Sequence, residues 1–229
     1  MATTVATRIK ICCLQSLDEL GLAVRHGADA VGLVSAMPSG PGPIPEPLIA
    51  RLARAVPPGV ASFLLTSARG AAAIADQVRR LGPQVVQIVD TPEAGCHAAL
   101  RAAAPAVKIV QVVHVTGPDA LSAALALAEQ VDALLLDSGN PAAAVRELGG
   151  TGRTHDWSVS RRIRESVAVP VWLAGGLTPG NVAAAIEAVR PFGVDVCSGV
   201  RTQGRLDEQR LAAFTAAVAA AGRGRAAGA

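Results

Sequence analysis

Eight times along this 229-residue chain, a short run of β-branched and aliphatic residues is followed by an alanine-rich stretch of helical length. The runs are RIKICC (8–13), ADAVGLV (28–34), VASFLL (60–65), QVVQIV (84–89), VKIVQVVHV (107–115), VDALLLD (131–137), VPVWLA (169–174) and GVDVCS (193–198). The predicted helices are 17–26, 46–56, 68–81, 92–103, 118–130, 157–166, 179–189 and 207–220. Strands this continuously apolar are buried on both faces, and parallel neighbours need a crossover helix between them. This order predicts a single-domain α/β fold, a closed (βα)8 TIM barrel over residues 1–222 with a disordered tail over 223–229. A doubly wound open sheet is the competing arrangement.

Helix starts follow the same rhythm. Ser16 with Glu19 three residues later reads as a capping box, and Ser67 and Thr178 are predicted caps before Ala68 and Pro179. Two connections are longer than the rest, SAMPSGPGPIPEP after the second strand and SGNPAAAVRELGGTGRTHD after the sixth. Both leave strand C-termini, the face where barrel enzymes build their sites, and both are expected to cover substrate.

Composition narrows the classes of function. The chain is 51% hydrophobic but only 2% aromatic, with no tyrosine, so the core must be packed from small aliphatics. Its 21 basic and 18 acidic residues leave a charge of +3 without any block of one sign, which offers no footprint for nucleic acid or an anionic membrane. No apolar run reaches the roughly 18 residues of a membrane span, and the N-terminus lacks a signal-peptide core, so the expected location is the cytoplasm. The four cysteines, at 12, 13, 96 and 197, form no CxxC pair and are expected to be reduced, with Cys96 and Cys197 as packing residues. His26, His97, His114 and His155 show no ligand spacing; His26 and His97 are expected on surface helices, and all four are read as bystanders.

The residues that can do chemistry cluster at strand ends. Gly175 and Gly176 follow the seventh strand and Ser198 and Gly199 the eighth, where backbone amides of tight turns can cradle a phosphate; tight-turn glycine alone is the alternative. Asp137 ends a buried strand, a costly place for a carboxylate unless it is paired or opens to a wet cleft, with helix capping as its other reading. By strand parity it shares a face with Ala133 and Leu135, whereas Asp132 at the far end is structural. The same parity puts Cys12 with Lys10 and turns Cys13 to the other face, so at most one of the adjacent thiols should reach a site. A cysteine there can equally be a small core residue, but a neighbouring ammonium favours the thiolate.

These segments carry a resemblance. KIC at 10–12, GADAVGLV at 27–34, DALLLDS at 132–138, GGTGRTHDW at 149–157, LAGGLTPGNV at 173–182 and RPFGVDVCSGV at 190–200 are together similar to the phosphoribosylanthranilate isomerase family of tryptophan biosynthesis, in order and over nearly the whole chain. The resemblance implies an Amadori rearrangement of an N-substituted phosphoribosylamine with neither metal nor coenzyme. It also implies Cys12 as general base at sugar C2, Asp137 as general acid to the ring oxygen, and Asp195 as a substrate contact. Lys10, Gly152, Gly175, Gly176, Ser198 and Gly199 complete the expected substrate- and phosphate-binding set, with a small phosphosugar as the partner and a monomer or homodimer as the assembly. In this chain Cys13 stands where the family motif KICG has glycine. The family's Ser-Pro-Arg loop is replaced by Ser39-Gly40-Pro41-Gly42-Pro43, and no arginine occurs from Ala28 to Ala50. Its QLHG is here Gln87-Ile88-Val89-Asp90, which sets a carboxylate near a cleft meant for an anion. A different aminosugar phosphate, or a non-catalytic phospho-ligand-binding barrel, is the alternative these departures leave open. Arg25, Arg51, Arg153 and Arg201 are the arginines that could supply the missing charge.

Overall fold

A computed structural model describes residues 6–139, 148, 152 and 154–227, with side chains through Gly222. Eight parallel strands close into one barrel in chain order, so the open sheet is excluded. They are β1 (Arg8–Ile11), β2 (Ala30–Val34), β3 (Ala61–Thr66), β4 (Val85–Ile88), β5 (Lys108–His114), β6 (Ala133–Asp137), β7 (Val171–Leu173) and β8 (Gly193–Val196). The intervening helices are α1 (Leu17–Arg25), α2 (Glu46–Ala55), α3 (Ala71–Leu81), α4 (Cys96–Ala103), α5 (Ala120–Ala128), α6 (Trp157–Ser166) and α7 (Val182–Val189). The last helix, α8 (Glu208–Ala227), continues past residue 222, where the sequence reading ended the barrel.

Two apolar clusters follow from strand alternation. Side chains such as Ile11, Leu33, Leu64, Val86, Ile109, Leu134 and Val194 point outward and pack beneath the helices. Inward-facing Ala30, Phe63, Leu65, Val85, Val110, Val112, Leu135 and Trp172 fill the barrel. Although aromatics are scarce, two of them plug the lower interior: Phe63 and Trp172 meet edge to face at 5.7 Å, and Phe192 closes on Trp172 at 5.4 Å. Above this plug the interior turns polar, with Lys10, Gln87, Asp137 and Asp195 all buried.

Several helix starts differ from the sequence reading, each for a local reason. Ser16 does cap α1, accepting from the Glu19 amide at 3.1 Å, while Glu19 returns a bond to the amide of Gln15 at 2.9 Å. At α3 and α7 the predicted caps are bypassed and the helices begin three residues later, after Gly70 and Asn181. Ser67 instead donates to the Ala36 carbonyl, tying the third loop to the second. Asn181 folds back, accepting from the Thr178 amide at 2.8 Å and donating to the Gly176 carbonyl at 2.9 Å, which pins the turn after β7. His97 is buried, not on a surface, because its ring bridges the side chains of Gln111 and Gln130.

The turns after β7 and β8 interlock. Gly199 lies in a single 3-10 turn, Ser198–Val200, pressed so closely on the preceding loop that a Cβ there would sit 1.9 Å from the Leu177 carbonyl oxygen. That obstacle is backbone and cannot swing away. We therefore expect Gly199→Ala to cost about 3 kcal/mol, the upper end for overpacking, read as a lowered urea midpoint against Gly117→Ala, which adds a Cβ into open space at a backbone angle that alanine accepts.

Candidate active site

The C-terminal mouth of the barrel holds a cavity of about 690 Å³ including its open entrance. Cys12, Asp137, Asp195, Gly175, Gly176, Gly152 and Ser198, all anticipated from sequence, line it together. The long second and sixth loops contribute Met37, Ser39, Gly40, Pro41 and Leu148 to its walls, as their position after strand ends predicted. Lys10 and Gly199 are not among its lining residues. Lys10 is fully buried beneath the floor, and Gly199 acts through the close approach described above.

Lys10 organises the floor. Its ammonium bonds Asp195 Oδ2 at 2.9 Å across the β1–β8 seam, where the two residues are direct register partners, and it lies 5.3 Å from the Phe63 ring centroid. Burial alone would push this ammonium down, but Asp195 together with Cys12 outweighs it and holds Lys10 above its ordinary value. The second carboxylate oxygen of Asp195 is buried without a protein partner. Asp132, by contrast, binds Lys108, Arg101 and the amide of Ile109 just before β6, the structural role expected of it.

Both proposed proton carriers are pushed toward their neutral forms. Burial raises the Cys12 thiol to about 11; the nearby Lys10 favours the thiolate, as expected, but only partly offsets the burial. Burial likewise raises Asp137 above the usual carboxylate range, opposed by the Ser138 amide at 2.7 Å and by His114, its register partner on β5. His155 sits beneath the Gly175 turn with Nε2 2.6 Å from Ser160 Oγ, and burial pushes it down to about 4. Gly175 and Gly176 take φ of 83° and 60°, left-handed values that glycine adopts freely, and they line the cavity together with Ser198 and Gly152.

Parity fails at the adjacent cysteines. β1 ends at Ile11, and Cys13 takes φ 65°, so the chain twists out of the strand and both Cys12 and Cys13 face the cavity. Cys13 is paired with Cys197 in a disulfide, which overturns both the expectation of reduced thiols and the packing role assigned to Cys197. Cys12 and Cys96 remain free and buried.

None of the arginines proposed to replace the missing loop charge lines the cavity among the described residues. Arg25 and Arg51 belong to α1 and α2, and Arg153 lies outside the described residues. Arg201 is occupied elsewhere: its guanidinium holds both carboxylate oxygens of Glu19 at 2.9 Å and the carbonyls of Cys13 at 2.5 Å and Cys12 at 3.4 Å. Glu19 also accepts from the amide of Leu206 at 2.9 Å. This clamp ties the segment after β1 to the two-residue strands that follow β8, β9 (Arg201–Thr202) and β10 (Arg205–Leu206). Sequence reasoning saw Glu19 only as a helix cap. Asp90 does not reach the cavity lining; one of its oxygens accepts from the amide of Thr91.

The sequence profile of the N-(5'phosphoribosyl)anthranilate (PRA) isomerase family matches residues 9–217. The chain belongs to that family. Among its relatives, the N-(5'-phosphoribosyl)anthranilate isomerase of Halobacterium salinarum is 40% identical over 212 residues, 92% of this chain and 94% of that one. The enzyme of the same name from Methanocella arvoryzae is 36% identical over 205 residues, 90% and 94% of the two chains. The crystal structure of phosphoribosyl anthranilate isomerase from Thermotoga maritima superposes with a TM-score of 0.79 at 30% identity, covering 93% of this chain and 99% of that one. A structure of phosphoribosyl anthranilate isomerase in complex with reduced 1-(o-carboxyphenylamino)-1-deoxyribulose 5-phosphate gives 0.77 at 28% identity, with 93% and 99% covered. The chain is thus a TIM-barrel isomerase of the phosphoribosylanthranilate isomerase family.

Two outcomes follow from the site's electrostatics. Because Asp137 is raised in the fold, its favourable contribution is complete below the unfolded carboxyl value of about 4 and is lost as pH rises through the folded value. Asp137→Asn should therefore be inactive yet more stable than the parent at neutral pH, with the gain in urea midpoint shrinking to nothing below about pH 4. Arg201→Met strands the carboxylate of Glu19 and should cost about 3 kcal/mol. Adding Glu19→Gln should restore much of that stability but not the turnover, since the carbonyls of Cys12 and Cys13 remain unheld.

Proposed function

We propose that this chain isomerises N-(5'-phosphoribosyl)anthranilate to its aminoketose in tryptophan biosynthesis, as a cytoplasmic enzyme, with Asp137 as general acid and Cys12 as general base. The observation that supports it is the convergence of these two side chains on one cavity with the glycine turns after β7 and β8, in a chain matching the family from first strand to last. Asp137, shifted by burial toward its neutral form, gives its proton to the furanose ring oxygen, and the C1–O bond breaks to leave an open-chain imine. Cys12 then takes the proton from C2, whose electron pair forms the C1–C2 double bond of an enolamine, and the ketose results when C1 gains a proton and the C2 hydroxyl loses one. The phosphate lodges against the Gly176 and Ser198 turns, which anchor the sugar while its other end reacts. Asp195, its free oxygen facing the cavity and its other oxygen held by Lys10, is suited to accept a sugar hydroxyl. Protons are all that these steps move, and both carriers are side chains of the protein.

Because the competent state pairs a thiolate with a neutral carboxyl, while Cys12 is raised to about 11, it is the minority protonation state of the free site. The rate–pH profile should be bell-shaped, its alkaline limb set by the thiol's value even though the thiol acts as base. The gene should restore growth without tryptophan to an isomerase-null bacterium. In the purified enzyme, Cys12→Ala and Asp137→Asn should each lower kcat by about 10²–10⁴. Growth failure with an inactive, folded protein would refute the assignment.

A further inference from the structure

The disulfide at the mouth joins two segments that the proposed reaction uses separately. Cys13 directly follows the base Cys12, and Cys197 directly precedes Ser198 of the phosphate turn; the pair is separated by 184 residues, with Cα atoms 5.9 Å apart. That spacing lies within the range for a bridge. Cys13 stands where the family's KICG motif has glycine and Cys197 where its VDVSSG motif has serine, so neither motif as such supplies a bridge. Cys13 is buried and Cys197 partly exposed, and both line the cavity, from which a thiol can approach the bridge.

We propose that Cys13 and Cys197 are a reversible oxidation site, a cystine cleaved by small dithiols and re-formed by their disulfides, whose state sets the geometry between the catalytic base and the phosphate turn. In the reducing step a dithiol's thiolate attacks Cys197 Sγ, the S–S bond breaks, and Cys13 leaves as a thiolate that takes up a proton. The second thiol of the reductant then displaces Cys197 from the mixed disulfide, giving two protein thiols and one cyclic disulfide. The reverse exchange restores the cystine. In compartments that keep thiols reduced, bridges of this kind are typically transient, catalytic or sensing rather than structural.

The coupling to catalysis is steric. Bonded sulfurs lie about 2 Å apart, whereas unbonded sulfurs need roughly 3.5 Å or more, so cleavage forces the two segments apart. Cys13 cannot retreat toward the second loop. Gly42 already packs there so tightly that a Cβ on it would lie 2.6 Å from Cys13 Cβ, and Pro41 O stands 3.7 Å from its sulfur. The displacement must pass into the exits of β1 and β8, which carry Cys12 and Ser198. A shift on the order of 1 Å in a reacting group can cost up to about 10²-fold in rate.

The activity readout rests on the isomerase assignment, so the test carries a second readout that does not. The full chain is equilibrated in mixtures of reduced and oxidised dithiothreitol, and the Cys13–Cys197 cross-link is quantified by peptide mass spectrometry. The cross-link should titrate reversibly, kcat/KM should fall about ten-fold in the dithiol form and return on reoxidation, and amide hydrogen exchange should quicken after β1 and after β8. The Cys13→Gly/Cys197→Ser variant should show no response to reductant in either measurement. Absence of the cross-link in the most oxidising mixture overturns the proposal, as does a cross-link whose cleavage leaves both exchange and kcat/KM unchanged. If neither form turns over substrate while cross-link and exchange still titrate together, the isomerase assignment fails and the oxidation site stands.

Discussion

The seam between β1 and β8 is where the barrel closes, and a buried ion pair lies across it. Lys10 and Asp195 are register partners, bonded at 2.9 Å with the lysine wholly out of water. Removing two charges from water costs several kcal/mol per ion before their attraction repays it, so a pair like this is a poor choice for stability alone. Its location gives it another use. The ammonium lowers the cost of ionising Cys12, and the carboxylate's second oxygen is left for a ligand. The Arg201–Glu19 clamp and the Cys13–Cys197 bridge reinforce the same seam from above, so one junction carries Cys12, the turn at Ser198 and the fastening of both.

Burial acts alike on the two proton carriers but has opposite consequences for them. Raising Asp137 prepares it as an acid, whereas raising Cys12 to about 11 withholds the base by some four units at neutrality, on the order of 5 kcal/mol. Part of that is recovered because a thiolate of high basicity takes a proton from carbon more readily. The acid on β6 and the base on β1 stand three strands apart around the ring.

The fold was legible because it follows from burial, which writes itself into every strand and helix. Eight apolar runs alternate with eight amphipathic ones, and α6 begins and ends at the predicted residues. The inward position of Asp137 followed from period-two alternation alone. What escaped is what depends on one unusual backbone angle or on distant partners. A left-handed cysteine at position 13 has no signature, since glycine is the residue that marks such a turn, and strand parity misassigned its side chain. Arg201 and Glu19 lie 182 positions apart, and no local pattern links them. The caps at Ser67 and Thr178 were sound by propensity but lost to tertiary bonds: Ser67 to the second loop, and Asn181 to the Gly176 turn.

The glycines of the second loop explain why the missing arginine has no replacement among the described residues. With Gly42 packed onto Cys13 and a bridge from Val34 to Pro43 folding the loop down, the chain offers Met37, Ser39, Gly40 and Pro41 to the cavity, none of them charged. Arg201, which bonds the carbonyls of Cys12 and Cys13, could turn inward only by abandoning two carboxylate bonds and three backbone carbonyls. Each such charged bond is worth about 1.5–3 kcal/mol, so a substrate carboxylate could not repay the loss. The neutral wall and the committed arginine are therefore two sides of one arrangement. Among the described residues, the one cation that touches the segment after β1 from above holds its carbonyls in place, and the second loop leaves its side of the cavity uncharged.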